Sequence, residues 1–319
     1  LIEMINPQPS YMNHIAGMVG LQSIRDAGLN IAVDSMHGAG SGYLSNLLEG
    51  GSTRVFEIRS NVNPTFPNMT QPEPIESNLA PLKSAIGEIN ADIGIATDGD
   101  ADRLGVVDEN GNYISSLHAF TLICQHLIEG LGMKGALVKS ITMTSMIDKL
   151  GEAHGLPVLN TSVGFKHLGP VMIEEDAIAA GEESGGYAFR GHIPERDGIL
   201  SALMLLDMMV KTGKNPGELI IALEDKVGPH YYDRLDLGYQ ADQRKHIMQK
   251  VEAATLSHLA NIPVSEVDSR DGFRYILKDG SWALIRLSGT EPVLRIYAEA
   301  ASAKIVALLI KECKKITGL

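Results

Sequence analysis

Ala91-Asp-Ile-Gly-Ile-Ala-Thr-Asp-Gly-Asp-Ala-Asp-Arg103 is the stretch that decides the fold, because an apolar run ends there in an acidic loop. The run predicts a buried strand. Asp98, Asp100 and Asp102 stand at alternate positions, so on an extended backbone their carboxylates would point to one side. Such oxygen ligands suit Mg²⁺ or Ca²⁺, and Arg103 adds a planar, permanently charged group that suits phosphate. A strand ending in such a loop predicts an α/β protein, whose ligands bind beyond the carboxyl ends of its strands.

Two other interpretations of this acidic loop, residues 98–103, compete with a cation site. Asp-Gly clusters are common solvated turns. The stretch from Asp98 to Glu109 also approaches a twelve-residue EF-hand loop, but its sixth position is Arg103 where that loop needs Gly. An EF-hand requires helices on both sides, whereas Asn110-Gly111 predicts a hairpin turn between strands. The flanking sequence therefore argues against the EF-hand.

Composition sets the broad class. The chain has 319 residues, 44 % hydrophobic residues and a net charge of −12, which allows two or three domains and argues against a nucleic-acid surface. No apolar run reaches the length of a membrane span. Cys124 and Cys313, far apart in helix-like segments, are typical of buried thiols in a reducing cytoplasm. The chain starts at Leu1 without an initiator Met, and we expect it to be a fragment.

Hydrophobic periodicity divides the chain into three units. In the first two, strands alternate with helices, which predicts βαβ-type sheets covered by helices. The third groups its strands together against helices and predicts a small α+β domain. We place the units at residues 1–116, 117–229 and 230–319. The apolar spacing predicts helices over 12–27, 117–131 and 243–259. The segment 182–198 is predicted to be a loop, and strands are predicted over 273–277, 282–287 and 294–299 of the third unit.

Arg286-Leu-Ser-Gly-Thr-Glu-Pro292, here called the arginine loop, joins two strands of the third unit. Ser288, Gly289 and Thr290 offer backbone N–H groups and two hydroxyls in a tight turn, an arrangement that binds anions. Arg286 and Arg295 add bidentate, charge-assisted donors. The alternative is a polar hairpin turn with unrelated arginines.

Gly181-Glu-Glu-Ser-Gly-Gly186, here called the glutamate loop, follows a short predicted strand of the second unit. Glu182 supplies an acceptor and Ser184 a hydroxyl that both donates and accepts, which suits neighbouring hydroxyl groups of a sugar. The alternative is a solvated acidic turn.

Taken together, the three loops resemble those of the α-D-phosphohexomutase family, the phosphoglucomutases and phosphomannomutases. Thr161-Ser-Val-Gly-Phe-Lys166 and Val33-Asp-Ser-Met-His-Gly-Ala-Gly40 are also typical of that family. The resemblance covers essentially the whole chain. It implies that the three units are the family's domains II, III and IV, two α/β domains with mixed sheets and a smaller α+β domain like the TATA-binding protein.

The resemblance also implies roles for individual residues. The family interconverts hexose 1-phosphates and 6-phosphates through a hexose 1,6-bisphosphate, by transfer to and from a phosphoserine. The resemblance implies that Asp98, Asp100 and Asp102 bind Mg²⁺ and that Arg103 and Lys166 are catalytic. The implied substrate-binding residues are Glu182, Ser184, Arg286, Ser288, Gly289, Thr290 and Arg295.

One part of the family pattern is not found. The phosphoserine of the family lies in a Ser-His-Asn-Pro loop of its first domain. Here the only Ser-His pair is Ser257-His258, followed by Leu259 in a predicted helix. We therefore expect a fragment that lacks the first domain and is inactive alone. The alternatives are a phosphosugar-binding protein without a nucleophile and a phosphatase with Asp98 as nucleophile.

The expected partners are small hexose phosphates and the missing N-terminal domain. We expect the chain to bind neither nucleic acid nor a membrane. The glutamate loop ends in Gly186, where one common version of the family has His. That difference leaves the choice between glucose and mannose phosphates open.

Overall fold

The computed structural model describes residues 2–289 and 291–319, which contain three separate β-sheets. The first two sheets mix parallel and antiparallel strands and are flanked by helices. The third is antiparallel and has helices on one face. The predicted α/β class is thus confirmed, as is the separate C-terminal α+β unit.

The first sheet has the strand order β2-β1-β3-β4-β5. β1 pairs in parallel with β2 and β3, whereas β4 and β5 are antiparallel. All residues of the central strand β3 are buried, which explains its continuous apolar sequence. The strands are β1 Asn30–Asp34, β2 Arg54–Ile58, β3 Ile93–Thr97, β4 Leu104–Val107 and β5 Tyr113–Ile114, and the helices are α1 Gln8–Ala16, α2 Leu21–Asp26, α3 Tyr43–Leu48 and α4 Ala80–Ile89.

The second sheet repeats the strand order of the first. Its order β7-β6-β8-β9, with two parallel pairs and one antiparallel pair, matches the first four strands of the first sheet. The strands are β6 Leu137–Ser140, β7 Val158–Thr161, β8 Ala179–Gly181 and β9 Tyr187–Phe189, and the helices are α5 Ser116–Gln125, α6 Met146–His154, α7 Phe165–Glu174, α8 Gly198–Thr212 and α9 Pro216–Val227.

The third sheet has six antiparallel strands in the order β10-β15-β14-β13-β12-β11. One face packs against two helices in a core of its own, formed by residues such as Ile285, Ile296 and Leu309. The strands are β10 Tyr231–Gly238, β11 His258–Leu259, β12 Ile262–Asp268, β13 Phe273–Leu277, β14 Trp282–Leu287 and β15 Val293–Ala300, and the helices are α10 Arg244–Ala253 and α11 Ala303–Thr317.

The first two sheets share one hydrophobic core, which runs from Ile15 through the buried helix α8 to Val227. The third sheet contacts this body through a smaller cluster in which Ile141 packs against Trp282, Leu284 and Tyr297.

No helix in the described part of the chain is both long enough and apolar enough to cross a membrane. Cys124 and Cys313 are buried free thiols.

Several predicted elements were wrong in their bounds. The helix predicted over 12–27 is two helices, because the chain turns at residues 17–20, where Gly20 N–H donates to Asp207 at 3.2 Å. The helix predicted over 117–131 ends at Gln125 and continues as a single π turn, His126–Gly130, where His126 contacts Asp207 at 2.8 Å. In both places a polar contact with the buried Asp207 accompanies the break in the apolar periodicity.

The largest error is in the third unit. The helix predicted over 243–259 ends at Ala253, and His258–Leu259 pairs with β12 as a short strand. The Ser257-His258 pair therefore lies outside any helix. β11 and β12 were not predicted, and β9 lies within the segment predicted as a loop.

The hairpin at Asn110-Gly111 is confirmed, since β4 and β5 pair on either side of it. Strands β3 and β4 flank the acidic loop, which excludes the EF-hand. Helix α9 received no assignment from the sequence. It begins with a capping box in which Asn215 and Glu218 bond to each other's backbone N–H groups.

Candidate active-site cleft

The acidic loop brings three carboxylates together at the end of β3. One oxygen from each of Asp98, Asp100 and Asp102 lies within 4.8 Å of the other two. Asp98 is buried and accepts a hydrogen bond from the Arg103 N–H at 3.0 Å. Ala101 takes a left-handed backbone conformation, with φ of 63°, which turns the chain sharply within the loop.

The electrostatics of this loop favour a bound cation. Burial and the neighbouring Asp102 and Asp100 carboxylates raise the pKa of Asp98 to about 8. Burial also raises the pKa of Asp102. Among the described residues, the buried Oδ1 of Asp102 has no hydrogen-bond partner. Crowded carboxylates with an unpartnered oxygen, and no nitrogen or sulfur donor among them, fit a hard divalent cation such as Mg²⁺.

Two arginines border the carboxylates. The Arg103 Nη1 lies 2.9 Å from Glu73 Oε1, and its Nε lies 3.5 Å from Asp98 Oδ2. The Arg196 Nη2 lies 2.8 Å from Asp102 Oδ2. Arg196 was missed by the sequence analysis, since it precedes α8 and lies far from the acidic loop in sequence.

Backbone hydrogen bonds join the acidic loop to the glutamate loop. Leu104 N–H donates to Gly185 O at 2.9 Å, and Arg103 forms an antiparallel bridge with Gly186. Gly198 N–H donates to Ala101 O at 3.0 Å. A side chain at Gly185 would place its Cβ 2.8 Å from Leu104 O, and its φ of 95° also favours glycine. The two loops therefore hold a fixed spacing.

The glutamate loop directs polar groups inward. Glu182 is buried and accepts a hydrogen bond from Gly164 N–H at 2.7 Å, and burial raises its pKa. The Ser116 hydroxyl donates to Glu183 O at 2.6 Å.

Lys166, the other predicted catalytic residue, lies in the first turn of α7 with its side chain exposed.

The arginine loop has acidic neighbours. The Arg286 Nε lies 3.0 Å from Asp271 Oδ2. The Arg295 Nη2 lies 3.2 Å from Glu291 Oε2. Ser288 is buried and its N–H donates to Val293 O at 2.8 Å, while Gly289 is exposed. Thr290 lies outside the described residues, so its predicted role stays a prediction.

The three loops open onto one cavity of about 760 Å³. Its described lining does not include Asp98, Asp100, Asp102, Lys166, Ser288 or Gly289. The predicted site residues that line it come from all three units, and they are Arg103, Glu182, Ser184, Arg286 and Arg295. Arg234 and Asp236 of β10 also line it and were missed by the sequence analysis.

Comparison with known proteins identifies relatives of this arrangement. Models of the phosphoglucomutase/phosphomannomutase α/β/α domains II and III match residues 9–111 and 110–227, and the model of the C-terminal domain matches residues 245–316. A phosphoglucomutase/phosphomannomutase from Thermococcus kodakarensis is 33% identical over 92% of this chain. A probable phosphoglucosamine mutase from Methanosphaera stadtmanae is 31% identical over 91% of it.

A solved structure also resembles this chain along its whole length. A protein from Thermus Thermophilus, described as a candidate phosphomannomutase, superposes with a TM-score of 0.86 and 32% identity, over 100% of this chain and 68% of its own. The chain spans 61% and 60% of the lengths of the two curated relatives.

Proposed function

The chain belongs to the phosphoglucomutase/phosphomannomutase family, and we propose that it is the part of a phosphohexomutase that holds the hexose phosphate during phosphoryl transfer. The observation that carries this proposal is the single cavity onto which all three loops open. A phosphorylated sugar needs polar contacts along the ring and cationic groups at its phosphate. The glutamate loop offers the first and the arginine loop the second.

Each loop has a distinct part in the proposed reaction. Asp98, Asp100 and Asp102 would hold Mg²⁺, which would supply charge neutralisation for the transferring phosphoryl group. Arg103 is joined to the carboxylates on one side and lines the cavity on the other, so it contacts the group in transfer. The exposed Lys166 is the proposed acid or base for the sugar hydroxyl.

The remaining residues bind the parts of the substrate that take no part in the transfer, which are the sugar hydroxyls and the distal phosphate. Glu182 accepts hydrogen bonds from sugar hydroxyls, and Ser184 both donates to them and accepts from them. The buried position of Glu182 and its hydrogen bond from Gly164 N–H fix its carboxylate. The distal phosphate is held by donors that do not depend on the shape of the sugar, which lets one site accept either phosphate of a 1,6-bisphosphate. These donors are Arg286, Ser288, Gly289, Thr290 and Arg295.

We propose further that the serine that carries the phosphoryl group lies outside these 319 residues. The proposal rests on the missing Ser-His-Asn-Pro sequence and on the share of the relatives' length that the chain spans. The test compares the 319-residue chain with a longer chain that includes the upstream region of its gene. Each is assayed with glucose 1-phosphate, mannose 1-phosphate and glucosamine 1-phosphate in parallel.

We expect turnover only from the longer chain, because positioning without a phosphoryl donor cannot start the cycle. The sugar that is turned over fastest identifies the substrate, since one curated relative is a phosphoglucomutase/phosphomannomutase and another a probable phosphoglucosamine mutase. Robust turnover by the 319 residues alone would reject the proposal that the serine lies outside them. Tight binding without turnover by the longer chain would favour a phosphosugar-binding protein instead.

A further inference from the structure

One face of the third sheet carries a row of charged residues toward the cavity. In the strand register, Arg286 of β14 is opposite Arg295 of β15, which in turn is opposite Asp236 of β10. Arg234 lies two residues before Asp236 and therefore on the same face. The other face of these strands is the apolar one that packs against α10 and α11. Three arginines on adjacent strands thus face the cavity, and all three line it.

Asp236 shows that two of these arginines can bind one anion. The Arg234 Nε lies 2.9 Å from Asp236 Oδ1, and the Arg295 Nε lies 3.4 Å from Asp236 Oδ2. The Arg234 Nη2 also donates to Asp236 Oδ2 at 3.3 Å, so the two guanidinium groups share one carboxylate. A phosphate group is wider than a carboxylate and offers more acceptor oxygens, so it could bind both arginines at once.

A second carboxylate, from another unit, also contacts Arg234. The Arg234 Nη1 lies 3.3 Å from Glu183 Oε1 in the glutamate loop. Hydrogen bonding of the Glu183 carbonyl oxygen to Ser116 fixes the backbone at that position. Arg234 is therefore shared between Glu183 and Asp236 across the cavity. Its side chain is 41% exposed, and such ion pairs contribute little stability because water screens them.

We propose that Arg234 is a third arginine of the distal phosphate site, and that Glu183 competes with the phosphate for it. This inference rests on the proposed function, since it requires that the arginine loop binds phosphate. A phosphate dianion carries more charge and more acceptor oxygens than the Glu183 carboxylate, so it is the stronger partner for the Arg234 guanidinium group. Binding would move Arg234 from Glu183 to the phosphate, so occupation of the phosphate site would release Glu183 in the glutamate loop.

The test measures binding of glucose 1,6-bisphosphate to the 319-residue chain by calorimetry. The variants are Arg234→Met, Arg286→Met, Arg295→Met and Glu183→Gln. Arg54→Met, at an exposed arginine of the edge strand β2, is the control for the same loss of charge. We expect each of the three cavity arginine variants to weaken binding by about ten- to a hundredfold, as for loss of a hydrogen bond to a charged group. Arg54→Met should leave the affinity within twofold of wild type.

The Glu183→Gln variant separates a phosphate contact from a structural one. If Glu183 competes for Arg234, removing its charge should tighten binding several-fold. If Arg234 only positions the glutamate loop, Glu183→Gln should weaken binding as Arg234→Met does, and that result would overturn the inference.

The same titrations separate this inference from the proposed function. Normal affinity in Arg234→Met beside weakened Arg286→Met and Arg295→Met would overturn the role of Arg234 alone. Normal affinity in all three variants, or no binding by the wild-type chain, would overturn both. Circular dichroism of each variant checks that a weakened affinity does not reflect unfolding.

Discussion

The charge balance of the acidic loop is a property of single residues. Three carboxylates meet at the end of one buried strand, and two arginines, Arg103 and Arg196, border them. Burial, which penalises the charged carboxylate, is the main reason that the pKa values of Asp98 and Asp102 rise, and repulsion from the neighbouring Asp100 carboxylate raises both further. A divalent cation would relieve that repulsion more completely than the two arginines do.

The residue whose change tests this balance most simply is Asp102. Asp102→Asn keeps the shape of the side chain but removes one ligand charge, and affinity for hard cations depends on the number of ligand charges. We expect the dissociation constant for Mg²⁺, measured by calorimetry, to rise at least about tenfold, since even changes to the partners of metal ligands typically cost about 10- to 100-fold. The control is Asp242→Asn, at an exposed position far away in sequence. Equal Mg²⁺ affinity in Asp102→Asn and wild type would contradict a metal site at this loop.

Residues that line the cavity could be picked out from the sequence where their signal is local. Arg103, Glu182 and Arg286 are recognised from their own loops, and the structure brings all three to one cavity. Arg196 and Arg234 were missed because their partners, Asp102 and Glu183, belong to other units. No periodicity or spacing in the sequence encodes a contact between loops of different sheets.

At the scale of elements, equivalent strands of the first two sheets carry the functional loops. β3 and β8 occupy the same place in the strand order, and each turns back into an antiparallel neighbour. The acidic loop follows β3 and the glutamate loop follows β8. Because the carboxyl ends of both strands lead into the same cleft, a repeated architecture supplies two different loops that line it.

The elements that could not be predicted are those whose local pattern is ambiguous. Apolar residues continue at helical spacing from Ile247 and Val251 to Leu259, but Leu259 is buried by strand pairing. β9 and β11 have three and two residues, too few to show an alternating pattern. Helix α9 did carry an explicit signal, Asn215-Pro216 followed by Glu218, which the sequence analysis did not use.

Strand β15 also carries the contact that we expect to hold the third sheet against the second unit. Glu299 is almost fully buried, and its Oε1 accepts hydrogen bonds from Ser145 N–H at 2.8 Å and Trp282 Nε1 at 3.0 Å. Burial acts to raise its pKa, but the hydrogen bonds from Ser145 and Thr144 outweigh it and hold the pKa below its ordinary value. A carboxylate with a lowered pKa stabilises the fold above its ordinary pKa, and that contribution is lost as the pH falls through the folded value.

Glu299→Gln should therefore lower the free energy of unfolding at pH 7 by about 1–3 kcal/mol, the range for loss of a buried charge-assisted hydrogen bond. The difference from wild type should shrink as the pH falls below about 4, the range in which a free glutamate takes up its proton. The fluorescence of Trp282, the single tryptophan, reports the transition in urea. Glu252→Gln, at an exposed glutamate of α10, is the control. A difference that is constant from pH 7 to pH 3 would show that the charge of Glu299 does not contribute.

At the scale of the whole molecule, the chain consists of one large body and one smaller one. The acidic and glutamate loops belong to the large body, whose two sheets share a core. The arginine loop belongs to the third sheet, which has a separate core. A few contacts fix the two bodies together, among them Glu299 with Ser145 and Asp271 with Val163 at 2.9 Å. The width of the cavity therefore depends on these contacts rather than on either core.

The most direct test of the central claim is a crystal structure of this chain with glucose 1,6-bisphosphate and Mg²⁺. We predict one bound molecule that touches all three loops, with a phosphate at Arg286 and Arg295, sugar hydroxyls at Glu182 and Ser184, and the metal between Asp98, Asp100 and Asp102. The account would be contradicted if the bisphosphate bound outside this cavity, or if it contacted only one of the three loops.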